Sequence, residues 1–232
     1  MVKALNNSWV LVVVLGGTSL GCSTPKMQVP PEIAAGSEVL EVADRSAWSG
    51  ALADESFKLG PYAIKEVDRD WNSSSGSSIG PFSTEKATTG YRFGFEAKGT
   101  KLAGMCASSK KENEVSLGGG MSLEFQFAKL ACSCEEGGKV ATVVVEGKGE
   151  KINGELSTSA GKYKIASIHE VEGGMSQGGP SGYRVDGEKP IGAADVIRPG
   201  RAYLAKSLDA GEKAELGCLF AGLMLYMPPK DD

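Results

Sequence analysis

The feature that most constrains the fold is an uncharged run near the C-terminus. Residues 216–227 contain no Asp, Glu, Lys or Arg, and two prolines that stop a helix follow them. Upstream, Asp209 and Glu212 have the spacing of a helix N-cap and its capping box, so the sequence predicts a helix over 210–227. A helix that is apolar on every side must be buried on every side, and a run of about 12 residues is too short to cross a bilayer. We therefore expect the rest of the chain to surround this helix.

The rest of the chain has the two-residue alternation of β-strands, broken by turn signals such as Asn153-Gly154 and Pro199-Gly200. Short strands with frequent turns are typical of antiparallel sheets. The sequence thus predicts a mainly β protein, an antiparallel β-barrel around the C-terminal helix, with a β-sandwich and a covering helix as the alternative. The segments predicted as strands are 91–98, 121–127, 140–145, 163–171, 191–197 and 201–206.

The N-terminus has the pattern of an export signal. Lys3 precedes an apolar run that starts at Trp9, and the segment ends at Gly21-Cys22. A small residue directly before a cysteine resembles the lipobox of bacterial lipoproteins, although Ser19 stands where that family usually has Leu or Val. The alternatives are an ordinary secretory signal with a chance cysteine, or an uncleaved anchor.

The lipoprotein resemblance implies a location and a domain plan. Residues 1–21 would be a signal peptide, and Cys22 would carry a diacylglycerol and further acyl chains such as palmitate. Ser23 follows the cysteine, which by resemblance to enterobacterial sorting implies the cell outer membrane. Residues 22–40 include three prolines and are expected to be a flexible tether. A single β-rich domain is then expected over 41–232.

Four cysteines remain besides Cys22. Exported proteins fold in oxidising compartments, so a disulfide is expected. We expect Cys106 to pair with Cys132 or Cys134, and sequence does not choose between them. Cys218 lies in the apolar run, where it is expected to be a free buried thiol or to pair with the remaining strand cysteine.

The residues that could take part in catalysis or bind a metal form no recognisable sequence motif. The formal net charge of −4 argues against nucleic-acid binding. The single histidine, His169, lacks a nucleophile motif, and Asp68 and Asp70 flank an arginine as surface ion pairs do. The one-residue spacer between Cys132 and Cys134 does not match zinc knuckles. We therefore predict no catalytic residue, no metal and no cofactor.

The end of the chain shows a second resemblance. Strands over 182–185, 191–195 and 202–204, followed by a helix over 212–226, resemble the tubby C-terminal-like superfold, shared with phospholipid scramblases and LURP-one proteins. The resemblance implies strands closed around a hydrophobic C-terminal helix. Tubby proteins bind phosphoinositide head groups through a basic patch, and this acidic chain has no such patch.

Together these features predict a lipid-anchored cell-envelope protein that acts as a non-enzymatic binding or scaffolding module. Its partners would be the membrane, through the anchor, and an unknown envelope protein, peptidoglycan or a lipid. One alternative is handling of a lipid or hydrophobic ligand, which requires a cavity beside the helix. Another is an enzyme of unrecognised type, which requires a pocket that converges on His169 or a carboxylate pair.

Overall fold

A computed structural model describes the protein over residues 24–45, 55–69, 89–97, 99–116, 122–148, 151–174, 176 and 179–227, with backbone alone at 89, 109–116, 122–128 and 148. The predicted signal peptide and Cys22 lie outside these residues. The elements are α1 (Pro31–Gly36), β1 (Ser37–Ala43), β2 (Glu55–Leu59), β3 (Tyr62–Asp68), β4 (Thr89–Ala97), β5 (Thr100–Ser116), β6 (Ser122–Glu136), β7 (Lys139–Lys148), β8 (Lys151–Thr158), β9 (Gly161–Ile168), β10 (Gly182–Asp186), β11 (Pro190–Asp195), β12 (Arg201–Ala205) and α2 (Ala210–Leu225).

The twelve strands close into one antiparallel barrel. Each strand pairs with the next along the chain, and β1 closes the ring by pairing with β12 as well as β2. The predicted barrel is confirmed, and the sandwich alternative is wrong. Small barrels of about eight strands are filled by their own side chains, so a ring of twelve leaves room for a further element inside.

Helix α2 fills that interior. Every residue from Leu216 to Leu225 is buried. Gly217 lies beside Phe95 and Tyr62 on one side of the barrel, while Phe220 reaches β11 on another. The surrounded helix is therefore confirmed. None of the described helices is long and apolar enough to cross a membrane.

Both ends of α2 follow from the sequence. The predicted capping box is present, because Asp209 Oδ1 accepts from the backbone N–H of Glu212 and Glu212 Oε2 accepts from that of Asp209. The helix ends at Leu225, two residues earlier than predicted, and Tyr226 is extended with φ −61° and ψ 129°. Since a residue before proline avoids the helical region, Pro228 already ends the helix upstream of Met227.

The two ends of the barrel differ. At one end the strands are joined by tight turns, such as those after Leu59, Glu136 and Thr158, and α2 begins there; we call it the short-turn end. At the other end most connections are longer, as between β9 and β10, although a tight hairpin joins β7 and β8, and α2 ends there; we call it the long-connection end.

Strands β5 and β6 extend beyond their neighbours at the long-connection end. They pair with each other as far as Ser116 and Ser122. The pairing of β4 with β5 stops at Ser108, and that of β7 with β6 at Ala128. The backbone therefore forms a two-stranded extension past the barrel, and the alternating segment predicted at 121–127 falls on it from residue 122 onward.

The N-terminal segment packs along the outer wall of β10, β11 and β12. Met27 and Ile33 are buried against Ile168, Ala193 and Tyr203. This differs from the expected flexible tether over 22–40 and domain start at 41, since the packed region includes Met27 and β1 begins at Ser37. The prolines of this segment predict a linker, but one of them starts α1, a position that suits its fixed φ.

Candidate binding site

An open groove of about 1030 Å³ lies on the outer wall of β3, β4, β5 and β6. These strands are on the opposite side of the barrel from the N-terminal segment, because β4 and β5 are six places round the ring from β10 and β11. One wall of the barrel is thus covered by the chain's own N-terminal segment, and the opposite wall carries the groove.

The groove has a floor of small residues and a polar rim. Gly94 and Ala103 are register partners on the outer face, while the neighbouring Phe93, Phe95 and Leu102 are buried. The register of β3 against β4 shifts between Lys65 and Asp68, and Glu66 within this shift has φ 54°. A bulge of this kind bends its strand. We infer that the bend raises the β3 side of the groove above its floor.

The rim is acidic. Five carboxylates, those of Glu66, Asp68, Glu96, Glu135 and Glu136, stand against three cations, Arg92 and Lys101 of the lining and Lys65 paired with Glu96, which gives a formal charge of −2. Asp68 pairs with Arg92 at 2.7 Å. Glu96 pairs with Lys65 at 2.9 Å and Lys101 at 3.2 Å. Hydrogen bonds from Lys65 and then Lys101 lower the pKa of Glu96. The groove therefore suits a partner with net positive charge.

A buried ionic cluster caps the C-terminus of α2 at the long-connection end. Arg45 donates to Met224 O at 2.9 Å and to Pro199 O at 3.2 Å, and Arg69 donates to Leu225 O at 3.0 Å. Glu55 bonds both guanidinium groups, and its side chain is only 2% exposed. Cations are favourable at a helix C-terminus, where the last carbonyls have no partner within the helix.

The electrostatics of this cluster favour its charged state. Burial by itself would raise the pKa of Glu55, but the hydrogen bonds and charges of Arg69 and Arg45 outweigh it and hold that pKa below its ordinary value. Burial lowers the pKa of Arg45, and Glu55 opposes the effect. Because the partners of the cluster among the described residues belong to the barrel, its connections or α2, its geometry indicates a structural cap.

A second buried carboxylate fastens the N-terminal segment. Asp195 is 2% exposed and accepts from Met27 N at 3.3 Å, Ile197 N at 3.0 Å and Arg201 Nη2 at 3.0 Å. Burial raises the pKa of Asp195, and these donors, Arg201 first, offset part of the shift. Backbone hydrogen bonds from Gln28 N to Glu170 O and from Glu172 N to Lys26 O flank this contact.

The cysteines form two disulfides in the barrel interior. Cys106 pairs with Cys132, the first of the two pairings left open, and the two are direct register partners with Cα atoms 4.0 Å apart. Cys134 pairs with Cys218 at a Cα separation of 6.3 Å, which ties β6 to α2. Cys218 is therefore not a free thiol but takes the remaining strand cysteine. Gly222 lies beside both sulfurs of the first disulfide.

The two described candidates for catalysis, His169 after β9 and Asp68 of β3, lie on different sides of the barrel. His169 is buried, and its Nε2 lies 2.9 Å from Ser167 Oγ, which also accepts from Ile152 N. Asp68 faces the groove, and Asp70 lies outside the described residues. Over the part of the chain that the structure describes, no group of three or more His, Cys, Asp or Glu side chains is arranged to hold a metal.

The sequence reasoning missed the groove and both buried carboxylates, Glu55 and Asp195. Only weak signals mark them, since an isolated acidic residue in a strand reads as a solvated position. The sequence holds part of a signal for the burial of Glu55. This residue begins a strand in which residues 55, 57 and 59 share one face, and all three are buried. A charge on the buried face of a strand indicates a buried partner.

No family model, no curated protein and no solved structure matches the chain.

Proposed function

We propose that this protein is a lipid-anchored component of a bacterial cell envelope, held at the outer membrane by acyl chains on Cys22. We further propose that its barrel acts as a non-enzymatic binding or scaffolding module. The groove on the wall of β3 to β6 is the surface through which it engages an envelope partner. The single observation that carries this proposal is that all cysteines other than Cys22 are joined in disulfides.

The four cysteines beyond the export signal are all joined in two disulfides. Disulfides form and persist in oxidising compartments, so the pairing supports export. Of the five cysteines in the chain, only Cys22 then remains for another chemistry. It is also the cysteine that the lipobox pattern marks for a thioether-linked lipid.

The position and charge of the groove support the binding role. The N-terminal segment that leads to Cys22 occupies the wall of β10 to β12, so the anchor leaves the groove unobstructed. A rim with a formal charge of −2 suits a basic segment of a protein partner. The acidic rim therefore adds a property to the proposed envelope partner, which is a net positive charge at the segment that binds.

A competing proposal, the handling of a hydrophobic ligand inside the barrel, needs a cavity beside the helix. Leu219, Phe220 and Leu223 of α2 instead belong to one continuous core with the inward side chains of the strands. The described interior is occupied by α2, so this structure offers the competing proposal no supporting site.

Replacing Cys22 tests the anchor. C22S removes the sulfur that would form the thioether, so we expect loss of metabolic palmitate labelling and release of the protein from the membrane fraction. The matched control is S23A, which keeps the lipobox cysteine and should keep both label and membrane attachment. If C22S stays with the membrane as firmly as the parent, the anchor proposal fails.

A photo-crosslinking amino acid tests the groove. Placed at Ala103 on the groove floor, it should give an adduct in intact cells, whereas the same group at the exposed Lys164 of β9 should not. Because the rim acts through its charge, E135K/E136K should reduce the adduct while both disulfides are retained. Equal adducts at the two positions, or an adduct insensitive to the charge reversal, would contradict binding in the groove.

A further inference from the structure

The N-terminal segment is held on the barrel close to the proposed anchor. Met27 is fully buried, its backbone N–H is bonded to Asp195, and its neighbours Lys26 and Gln28 pair with Glu172 and Glu170. A Cβ at Gly182 would collide with the Met27 side chain, so the first residue of β10 leaves the space that Met27 fills. Full burial of the apolar methionine side chain favours this contact.

This attachment point is at the long-connection end. Gly182, Asp195 and Val171 all lie where β9, β10 and β11 begin or end at that side. Five residue steps separate Cys22 from Met27, and an extended chain spans at most about 3.6 Å per residue, so their Cα atoms lie within about 18 Å of each other. A tether this short limits how the barrel can be oriented.

The opposite end is farther away than this tether can reach. Strand β7 runs from Lys139 at the short-turn end to Lys148 at the long-connection end. At about 3.3 Å per residue, the two ends of this strand are about 30 Å apart. Among the described exposed residues of the long-connection end, Lys26 and Lys151 are balanced by Glu170 and Glu172, so these four charges do not form a single-sign field against lipid headgroups.

We infer that the long-connection end of the barrel, with the two-stranded extension of β5 and β6 that projects from it, faces the membrane that carries the anchor, with its lipid headgroups as the surface it approaches. This rests on the proposed lipidation of Cys22. The short-turn end then points away from the bilayer. The groove, which reaches down to Glu136 and Gly137 at the short-turn end, is open to the aqueous compartment.

Energy transfer to the bilayer tests this orientation. The lipidated, processed protein is reconstituted in phospholipid vesicles that contain a dansyl-labelled headgroup lipid. In a background in which Trp48 and Trp71 are changed to Phe, a single tryptophan is introduced as K151W or as the matched K139W. Both lysines are exposed and both begin a strand after a hairpin, but at opposite ends of the barrel. We expect severalfold more transfer from K151W than from K139W.

A second test, of protease accessibility, uses the protein with its native tryptophans. A protease site inserted at Gly137-Gly138 should be cut on intact vesicles, whereas the same site in the hairpin between β7 and β8 should be cut only after detergent is added. Retention of both disulfides in each variant confirms that it is folded.

Equal transfer from the two positions, greater transfer from K139W, or equal cleavage at the two sites would each overturn the inference. A C22S protein that binds the vesicles as the parent does would instead overturn the proposed anchor. The two failures are therefore distinguishable.

Discussion

The two ends of helix α2 are capped in opposite ways. At the short-turn end the capping box of Asp209 and Glu212 is exposed. Glu215 accepts a hydrogen bond from Ser159 N at 2.8 Å, and this bond is also exposed to solvent. At the long-connection end the buried Arg45–Glu55–Arg69 cluster bonds the last carbonyls. The first cap is local along the chain, and the second joins residues that are 156 and 179 positions from their helical partners.

The difference shows where the architecture is fragile. Exposed polar contacts exchange readily with water, so each contributes little. A buried ion pair contributes little net stability when complete, but loss of one partner leaves an uncompensated buried charge. We therefore expect the long-connection end to be the more sensitive to substitution, although both caps do the same work for the same helix.

The largest effect is expected from E55Q. It removes the negative charge between Arg45 and Arg69, and breaking a buried pair of this kind costs about 3–5 kcal/mol. The matched control E215Q alters a carboxylate that bonds at the other end of α2 and should cost no more than about 1 kcal/mol. Urea unfolding with the disulfides intact measures both. Equal losses for the two variants would break the comparison between the ends.

The comparison of wild type with E55Q also predicts a pH dependence of stability. The folded-state pKa of Glu55 is lowered, so its contribution is fully present above the unfolded glutamate pKa of about 4.3 and is lost as pH falls through the folded-state value. The difference in unfolding free energy between wild type and E55Q should be largest at neutral pH and shrink below about pH 4.3.

Asp195 does not affect the pH dependence of this difference in unfolding free energy. Its raised pKa gives the opposite sign, because a carboxyl group that binds its proton more tightly in the folded state gains stability as pH falls. Both proteins contain Asp195, so its effect cancels in the difference. A difference that stayed constant through the acid range would show that the charge of Glu55 is not what stabilises the long-connection end.

The sequence predicts the elements whose causes are local. The capping box is a three-residue spacing, and the uncharged run requires burial on all sides, so α2 and its barrel follow from patterns that lie within one segment. The same kind of local pattern limits the expected disulfide partner of Cys106 to Cys132 or Cys134, since these two cysteines share one face of β6.

The features that the sequence did not predict depend on contacts between distant segments. Glu55 meets Arg45 and Arg69 only after the barrel closes, and Met27 meets Asp195 across 168 positions. The groove is lined by the register shift in β3, where Glu66 adopts a positive φ that no residue-type preference indicates. Long-range register and a non-glycine left-handed residue leave no periodic signal to read.

The smallest effect is expected at the short-turn cap. D209A removes the acceptor of the Glu212 N–H, and loss of an N-cap side chain costs about 1 kcal/mol. D209S keeps a capping oxygen and should restore most of that loss, which separates the cap from any effect of charge. Hydrogen exchange should quicken at the first-turn amides of α2 in D209A and stay unchanged near Met224 and Leu225. If D209A instead destabilised the protein as much as E55Q, or quickened exchange along the whole helix, the short-turn end would share the cooperative role that we assign to the buried cluster alone.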